Sequence, residues 1–372
     1  MKLSDLPDIE FVNSDVQTVE AEVFAIYEET TGRTLAKGDP IRLFLLTMTY
    51  VIVLLLKAID NTGKQNLLRY ANGNNLDHIG ALVGCGRLAA AAAVTTIKVT
   101  LSAAQATAVI VPSGTRFTAG DGIFFALDNP MVIDIGDTNG TGTATCTVTG
   151  TVGNDYPIGT LTTLVDPVPY VASVTNTTKS EGGADVQDDE DFREAINLKP
   201  ESFSTAGPTG AYIFHAKQAS ALISDVSVIT PNPGEVEVRP LLEGGVIPGS
   251  TMLQLVEDHL NDKTIRPLTD DVSVVAPTAV SYDVTLTYYI DSNDATMATT
   301  IQTAVTAAVN DYVAWQKEKL GRDINPSELI RRVMQAGAKR VAVTYPVFAV
   351  LDETEVAIAD NVTVTMGGIE DE

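Results

Sequence analysis

Apolar positions along the first ninety residues recur at helical spacing. From Ser14 to Thr30 the stripe is Val16, Val19, Val23, Phe24, Ile26 and Tyr27, with Ser14 or Asp15 placed as an N-cap and Gly32 as a stop. Asp39-Pro40 opens a longer helix reaching about Ile59, because proline suits the first helical turn, where its missing N–H costs nothing. A third helix is expected near Lys64–Asn72, ending at Gly73. Asn75-Leu-Asp77 caps a short fourth that stops at Gly84 or Gly86.

The period then changes. Between about Val94 and Thr178 threonine, valine and glycine dominate and charge nearly disappears. Thr96–Leu101, Ala108–Val111, Thr115–Phe117, Ile123–Ala126, Met131–Ile135, Thr143–Thr149 and Leu161–Val165 alternate or run apolar between turn residues, the pattern of short strands. Val111-Pro-Ser-Gly-Thr-Arg-Phe117 carries turn chemistry between two of them. A connector follows, with a helix after Asp188, a break at Lys199-Pro200 and a helix after Gly207-Pro208. From Asp225 the order is strand Val226–Ile229, strand Val236–Leu242, helix Ser250–Asp262 and strand Val272–Val275. A second unit has strand Ser281–Ile290, helices Ala295–Leu320 and Pro326–Ala336, and strands Arg340–Tyr345 and Val362–Thr365. The expected architecture is therefore a multidomain α+β chain. A helical N-terminal region (1–93) precedes a small all-β domain (94–178) and a connector with short helices (179–220). Two C-terminal α+β units follow (221–278 and 279–372), with helices on one face of each sheet.

Charge narrows the partners. With 24 Lys+Arg against 48 Asp+Glu the formal net charge is -24, which repels a phosphate backbone. The densest basic cluster, Lys317, Lys319, Arg322, Arg331, Arg332, Lys339 and Arg340, is interleaved with Glu318, Asp323 and Glu328, so no nucleic-acid partner is expected. Cys85 and Cys146 form no CxxC and cannot organise a disulfide framework. The first ten residues lack the apolar core of a secretory leader. Leu43–Leu56 is 14 residues without charge, short of the ~20 a spanning helix needs, so the expectation is a covered helix rather than membrane insertion.

No catalytic constellation emerges. Gly84-Cys-Gly86-Arg-Leu-Ala89 fits GxGxxA but follows a helix instead of a strand, so it reads as a helix stop with positive φ. The acids Asp185, Asp188, Asp189, Glu190, Asp191 and Glu194 lack the spacing of a calcium loop and suit the first turn of a helix, where they complement its dipole. His78, His215 and His259 are not spaced as metal ligands, and no GxSxG elbow is present. Gly182 and Gly183 are expected in a tight connection needing positive φ. The stripe Ile301, Val305, Ala308, Val309, Tyr312, Val313 and Trp315 reads as core, with Trp315 a candidate interface anchor. Helix Ile41–Ile59 is apolar beyond one face, so Leu46 and Leu54 are candidate interface residues against a partner or second copy.

Three segments carry a resemblance. They are Asn75-Leu-Asp77 with Gly80, Gly84 and Arg87; Glu181-Gly-Gly-Ala-Asp185 with Asp188, Asp189, Glu190 and Arg193; and Gly207-Pro208 through Asp225-Val226 and Pro233-Gly234 to Arg266-Pro-Leu-Thr-Asp270. In this order they resemble the baseplate J-like family, wedge components of the baseplates of contractile-tailed phages and of related particles such as tailocins. The unusually apolar residues 41–59 depart from that family's character. The resemblance implies a non-enzymatic structural protein without cofactor, metal or catalytic residues. It further implies copies paired within each wedge and wedges joined in a ring around a central hub. Other wedge proteins would be its neighbours, among them the one that initiates the sheath. Assembly would take place in the bacterial cytoplasm and the product would be carried in the released particle. A receptor-binding or fibre-like protein, dispensable for particle assembly, is the alternative that the β-rich segment favours. A cell-wall hydrolase, losing activity with one or two acids, is the other.

Overall fold

A computed structural model of the chain describes residues 3–203 and 207–371, so residues 204–206 of the expected connector lie outside the described residues. The chain separates into two compact units. One contains the residues up to Arg87 together with Asp188–Asn197; the other contains Leu88–Gln187 and everything from Leu198 onward.

The first unit is helical. α1 (Val16–Thr31) is capped by Asp15, whose carboxylate accepts from the Thr18 N–H at 2.8 Å, and stops at Gly32 in the left-handed region with φ 66°. α2 (Pro40–Lys64) starts as expected, with the Asp39 side chain accepting from the Ile41 N–H at 2.9 Å. It runs five residues beyond Ile59, helped by the Asp60–Lys64 ion pair at 2.6 Å and by Asp60 accepting from the Phe11 N–H. α1 and α2 pack together, with the Arg42 guanidinium 4.2 Å from the Phe24 ring centroid. α3 (Gly73–Leu82) follows, and α4 (Asp189–Leu198) completes the unit from far along the chain. The helix expected at 64–72 does not form: after Lys64 the chain makes a series of tight turns.

The second unit begins with a small, nearly closed barrel. Its strands are β1 (Ala92–Leu101), β2 (Val109–Val111), β3 (Arg116–Thr118), β4 (Phe125–Leu127), β5 (Met131–Ile133), β6 (Asn139–Thr149), β7 (Thr163–Leu164) and β8 (Val171–Asn176). Six of them form one sheet in the order β7-β3-β4-β6-β1-β8, and its two edges, β7 and β8, come back against each other; β2 and β5 pair separately. β1 alternates strictly, burying Ala93, Thr95, Ile97, Val99 and Leu101. Phe117, Phe125, Leu127, Ile133 and Leu161 fill the interior. β8 escaped the sequence pattern, because Val171-Ala-Ser-Val-Thr-Asn176 carries few large apolar residues.

Next come α5 (Thr209–Ala219), β9 (Ile223–Ile229), β10 (Glu235–Leu242), α6 (Ser250–Leu260) and β11 (Asp271–Val274). β10 lies between antiparallel β9 and parallel β11, and Tyr212, Val238, Val256 and Leu260 form the core beneath. The last module holds β12 (Thr278–Asp291), α7 (Ala298–Lys317), α8 (Pro326–Gln335), β13 (Arg340–Tyr345) and β14 (Glu355–Glu370). β12 is central, antiparallel to β13 and parallel to β14 over its whole length. α7 and α8 bury Ile301, Val305, Val309, Tyr312, Leu329 and Val333 against Val284, Leu286 and Tyr288.

Asn176 closes the barrel's last loop. Its side-chain oxygen accepts from the Thr160 and Leu161 N–H groups at 2.9 and 3.0 Å, and its amide donates to the Pro157 and Thr178 carbonyls at 2.9 Å. The residue is 1% exposed, so Asn176→Ala strands buried donors and acceptors without replacement. The expected cost is roughly 2–4 kcal/mol in denaturant unfolding. A loss within ~0.5 kcal/mol would show that water substitutes for the amide.

Candidate assembly surfaces

The two motifs that stand about a hundred residues apart in the sequence meet inside the helical unit. Arg193, 7% exposed, donates from Nε to the Leu68 carbonyl at 2.9 Å and from Nη2 to the Ala71 carbonyl at 2.8 Å. Nη2 also reaches Asn72 Oδ1 at 3.3 Å, while Nη1 pairs with Glu190 at 2.6 Å. A buried guanidinium needs its donors occupied. The turns at 65–72 supply the acceptors. Arg87 bridges Asp77 at 3.0 Å and Asp189 at 2.7 Å, and its guanidinium lies 4.7 Å from the Phe192 ring centroid. The second Asp189 oxygen accepts from the Gly73 N–H at 2.9 Å, at the start of α3. Gly80 leaves room for this packing: a Cβ there would fall 2.6 Å from the Phe192 ring.

Local sequence builds these positions. α3 ends in a Schellman motif, with Cys85 N–H donating to Gly80 O at 2.9 Å, Gly84 N–H donating to Ala81 O at 3.2 Å, and Gly84 at φ 69°. The GxGxxA match is thus a helix stop. Asp188 accepts from the Asp191 N–H at 2.8 Å, and Asp189, Glu190 and Asp191 occupy the first turn of α4, as their pattern requires.

Residues 181–184 do a second job within the other unit. The Glu181 backbone exchanges hydrogen bonds with Val94, and Ala184 does so with Ala91. The Glu181 carboxylate accepts from the Thr251 N–H at 2.9 Å and so caps α6, whose own N-cap, Gly249, has no side chain to offer. Gly182 sits at φ 90°, and Gly183 approaches so closely that a Cβ would lie 2.4 Å from the Gly150 carbonyl. Only the first glycine is needed for positive φ; the second is needed for contact. Sequence reasoning found the glycines but not the roles of Glu181 and Arg193, because both roles depend on partners more than sixty residues away.

α2 presents the largest apolar surface in the helical unit. Phe44, Met48, Val51, Leu55 and Ile59 are exposed at helical spacing, flanked by exposed Leu43, Tyr50 and Leu54, and only Thr49 and Val53 are buried. Among the described residues of the helical unit, nothing covers this stripe as the sequence led one to expect. Leu54 is 49% exposed, whereas Leu46 is half-buried. At 25 residues α2 is also long and apolar enough, by length and composition, to cross a bilayer. Trp315 is partly buried against the C-terminal core, with the Arg322 and Arg332 guanidinium groups 4.2 and 5.3 Å from its ring centroid.

The basic cluster is largely engaged with neighbouring acids. Arg331 and Arg332 pair with Glu328, Lys339 with Asp291 and Arg340 with Glu370. Glu328 is held down to about 2, first by its Arg331 hydrogen bond, with Arg332 adding to it. His215 and His259 meet in space, with ring centroids 6.3 Å apart, and burial lowers both, His215 to about 4. Among the described residues no group of three His, Cys, Asp or Glu is placed to hold a metal ion.

A helical region tied by Arg193 and Arg87, a small barrel and two α+β modules, with an exposed apolar helix, define a multi-module α+β protein. Four segments match family profiles in chain order. They are the Baseplate J-like N-terminal domain (residues 38–93), barrel domain (96–183), central domain (204–276) and C-terminal domain (282–365), and the chain belongs to the baseplate J-like family. Baseplate protein J of Escherichia phage P2 is 29% identical over 185 residues, 49% of this chain and 60% of that protein. This chain thus spans less than two thirds of that relative's length. Baseplate protein gp47 of Escherichia phage Mu is 27% identical over 263 residues, 67% of this chain and 69% of that protein. A chain in the cryo-EM structure of the anti-feeding prophage baseplate aligns over 92% of this chain and 90% of its own length. The TM-score of that alignment is 0.42, at 12% sequence identity.

The Asp189 joint has a pH signature. The Gly73 N–H first, and then Arg87, hold the Asp189 carboxyl below the usual carboxylate range. A depressed carboxyl contributes stability that is present above its unfolded pKa of about 3.9 and lost as pH falls through the native value. Asp189→Asn is expected to lower the melting temperature at pH 7 and to narrow the gap between pH 7 and pH 3. Equal losses at both pH values would remove the ionic joint from the account.

Proposed function

We propose that this chain is a structural component of the baseplate wedge in a contractile tail or injection particle. The observation that carries this reading is the unbroken order of four baseplate J-like segments over residues 38–365. The proposed roles are assembly with copies of itself and with neighbouring wedge proteins, contact with the sheath-initiating protein, and attachment around the central hub. The five segments 1–93, 94–178, 179–220, 221–278 and 279–372 would act as its structural modules. It would be assembled in the bacterial cytoplasm and carried in the released particle. No catalytic step is assigned to it.

The apolar stripe of α2 supports the docking part of this reading. An exposed stripe of this size costs solubility unless a partner covers it, and its helical spacing fits packing against another helix. Leu46 and Leu54 are proposed to line that contact, and the exposed part of Trp315 a second one. Leu54→Asp changes an exposed side chain, so the isolated chain should fold and melt as before while incorporation into particles falls at least ~10-fold. Normal incorporation would sink the α2 contact. Deletion of the gene, followed by negative-stain electron microscopy of lysates, tests the wider reading. Absent particles or free sheath without baseplates are expected. Intact contractile particles that fail to bind or kill would transfer the role to receptor binding or wall hydrolysis.

A further inference from the structure

β12 is paired along its whole length on one side but only in part on the other. β14 accompanies it from Thr278 to Asp291, whereas β13 stops at the Thr285–Tyr345 pair, where Pro346 has no N–H to continue. Residues 279–284 therefore have no strand on the β13 side among the described residues. The chain beyond Pro346 does not return to fill the place, because Ala349 exchanges its backbone hydrogen bonds with Ile324 instead. What remains is a bay ~20 Å long, from the rise of an extended strand. It opens on a cavity of about 360 Å³. Val280, Ser281, Tyr282 and Asp283 all line that cavity, and consecutive residues of a strand can share one cavity only along the strand's edge. The register shifts on either side put the extra residue in β13 and in β14. β12 itself keeps its alternation, with Tyr282 and Val284 buried and Ser281 and Asp283 exposed.

We infer that this bay takes an extended segment of another protein, with apolar and basic residues in alternation, as an added strand in the line that β13 vacates. The inference rests on the reading that this chain docks onto neighbouring proteins, and it names a surface for one of them. The unpaired backbone groups of β12 supply main-chain hydrogen bonds to an extended segment whatever its sequence. Its inward side chains meet the cavity, so every second position is apolar. Around the mouth Tyr345, Val347, Phe348 and Val350 are exposed, and apolar side chains crowded in this way mark a contact surface. Charge selects the outward positions. Asp283 and Asp360 line the bay, both are exposed, and no lysine or arginine lines it with them. Asp283 accepts from the Asn361 amide at 2.8 Å, and among the described residues neither carboxylate has a basic partner. Basic residues on the outer face of the incoming strand complete that pairing. Repulsion between two copies, each at a net charge of -24, turns away a second copy of this chain.

The test titrates the full chain with a short labelled peptide alternating valine and lysine, read by fluorescence anisotropy at about 0.15 M salt, where long-range attraction is screened. Two control peptides separate the causes. One is the same sequence N-methylated at every backbone nitrogen, which keeps charge and side chains but removes the donors; the other alternates valine and glutamate. The valine–lysine peptide is expected to bind saturably and each control at least ~10-fold more weakly. Hydrogen exchange should show amides in 279–284 gaining protection with the valine–lysine peptide alone. Asp283→Lys changes an exposed side chain and should turn the preference toward the valine–glutamate peptide, with circular dichroism melting as the check on folding. Asp360→Lys, also exposed, is the second variant should the first fail to fold. An N-methylated peptide that binds as tightly would reduce the contact to attraction by an acidic surface and overturn the inference. Absent binding, protection confined to other segments, or a folded charge-reversed chain that still prefers lysine would overturn it equally. None of these touches the α2 contact or baseplate membership, which answer to Leu54→Asp and to the gene deletion. Failure of those two with peptide binding intact would leave the bay standing for a partner outside a baseplate.

Discussion

One buried cation organises the helical unit. Arg193 cannot remain inside without acceptors, and the acceptors it finds are the Leu68 and Ala71 carbonyls, the Asn72 side chain and Glu190. Those acceptors lie in the turns between α2 and α3, so the guanidinium ties down a stretch that helical propensity would have drawn otherwise. Arg87 and Asp189 repeat the device at the partly exposed rim, where the carboxylate ties the start of α3 to α4 and Arg87 stacks on Phe192. Apolar burial is thin here, since α2 turns most of its large side chains outward. Directional polar contacts, rather than a deep core, hold α3 and α4 in register.

The strip around Glu181-Gly-Gly-Ala-Asp185 solves a different problem with the same economy. A chain leaving a barrel must satisfy its backbone without extending the sheet. Glu181 and Ala184 do this by pairing with Val94 and Ala91, while Gly183 exchanges two hydrogen bonds with the Asn154 side chain. A side chain larger than hydrogen at Gly183 would displace the Gly150 carbonyl. The Glu181 carboxylate supplies the cap that Gly249 cannot, so the start of α6 is held by a residue outside its own module.

Much of this architecture was legible because its signals are local. Asp15, Gly32, Asp39-Pro40, Gly84 and Pro326 each act within a few residues of their own position, and the elements they bound stand where their chemistry puts them. The failures share a cause. Residues 64–72 look helical, yet they form turns whose Leu68 and Ala71 carbonyls face Arg193, more than a hundred positions away. β14 reads as the short run Val362–Thr365 because Ala357 and Ala359 carry little β signal, yet pairing with β12 extends it from Glu355 to Glu370. The family motifs were visible as residues, but the contact between them was not, since sequence separation hides which charges meet. The apolar run in α2 was likewise visible, while its exposure depends on what the remainder of the chain leaves uncovered.

Trp315 is the only tryptophan in the chain, and it lies in the C-terminal module, partly buried beneath two guanidinium groups. Indole emission from the whole protein is therefore a spectroscopic readout of that module alone. Melting of the helices around Arg193, or opening of the barrel, leaves it dark to fluorescence unless the C-terminal sheet follows. A comparison of indole emission with far-ultraviolet dichroism would thus separate the unfolding of one end of the molecule from that of the rest, with no label attached.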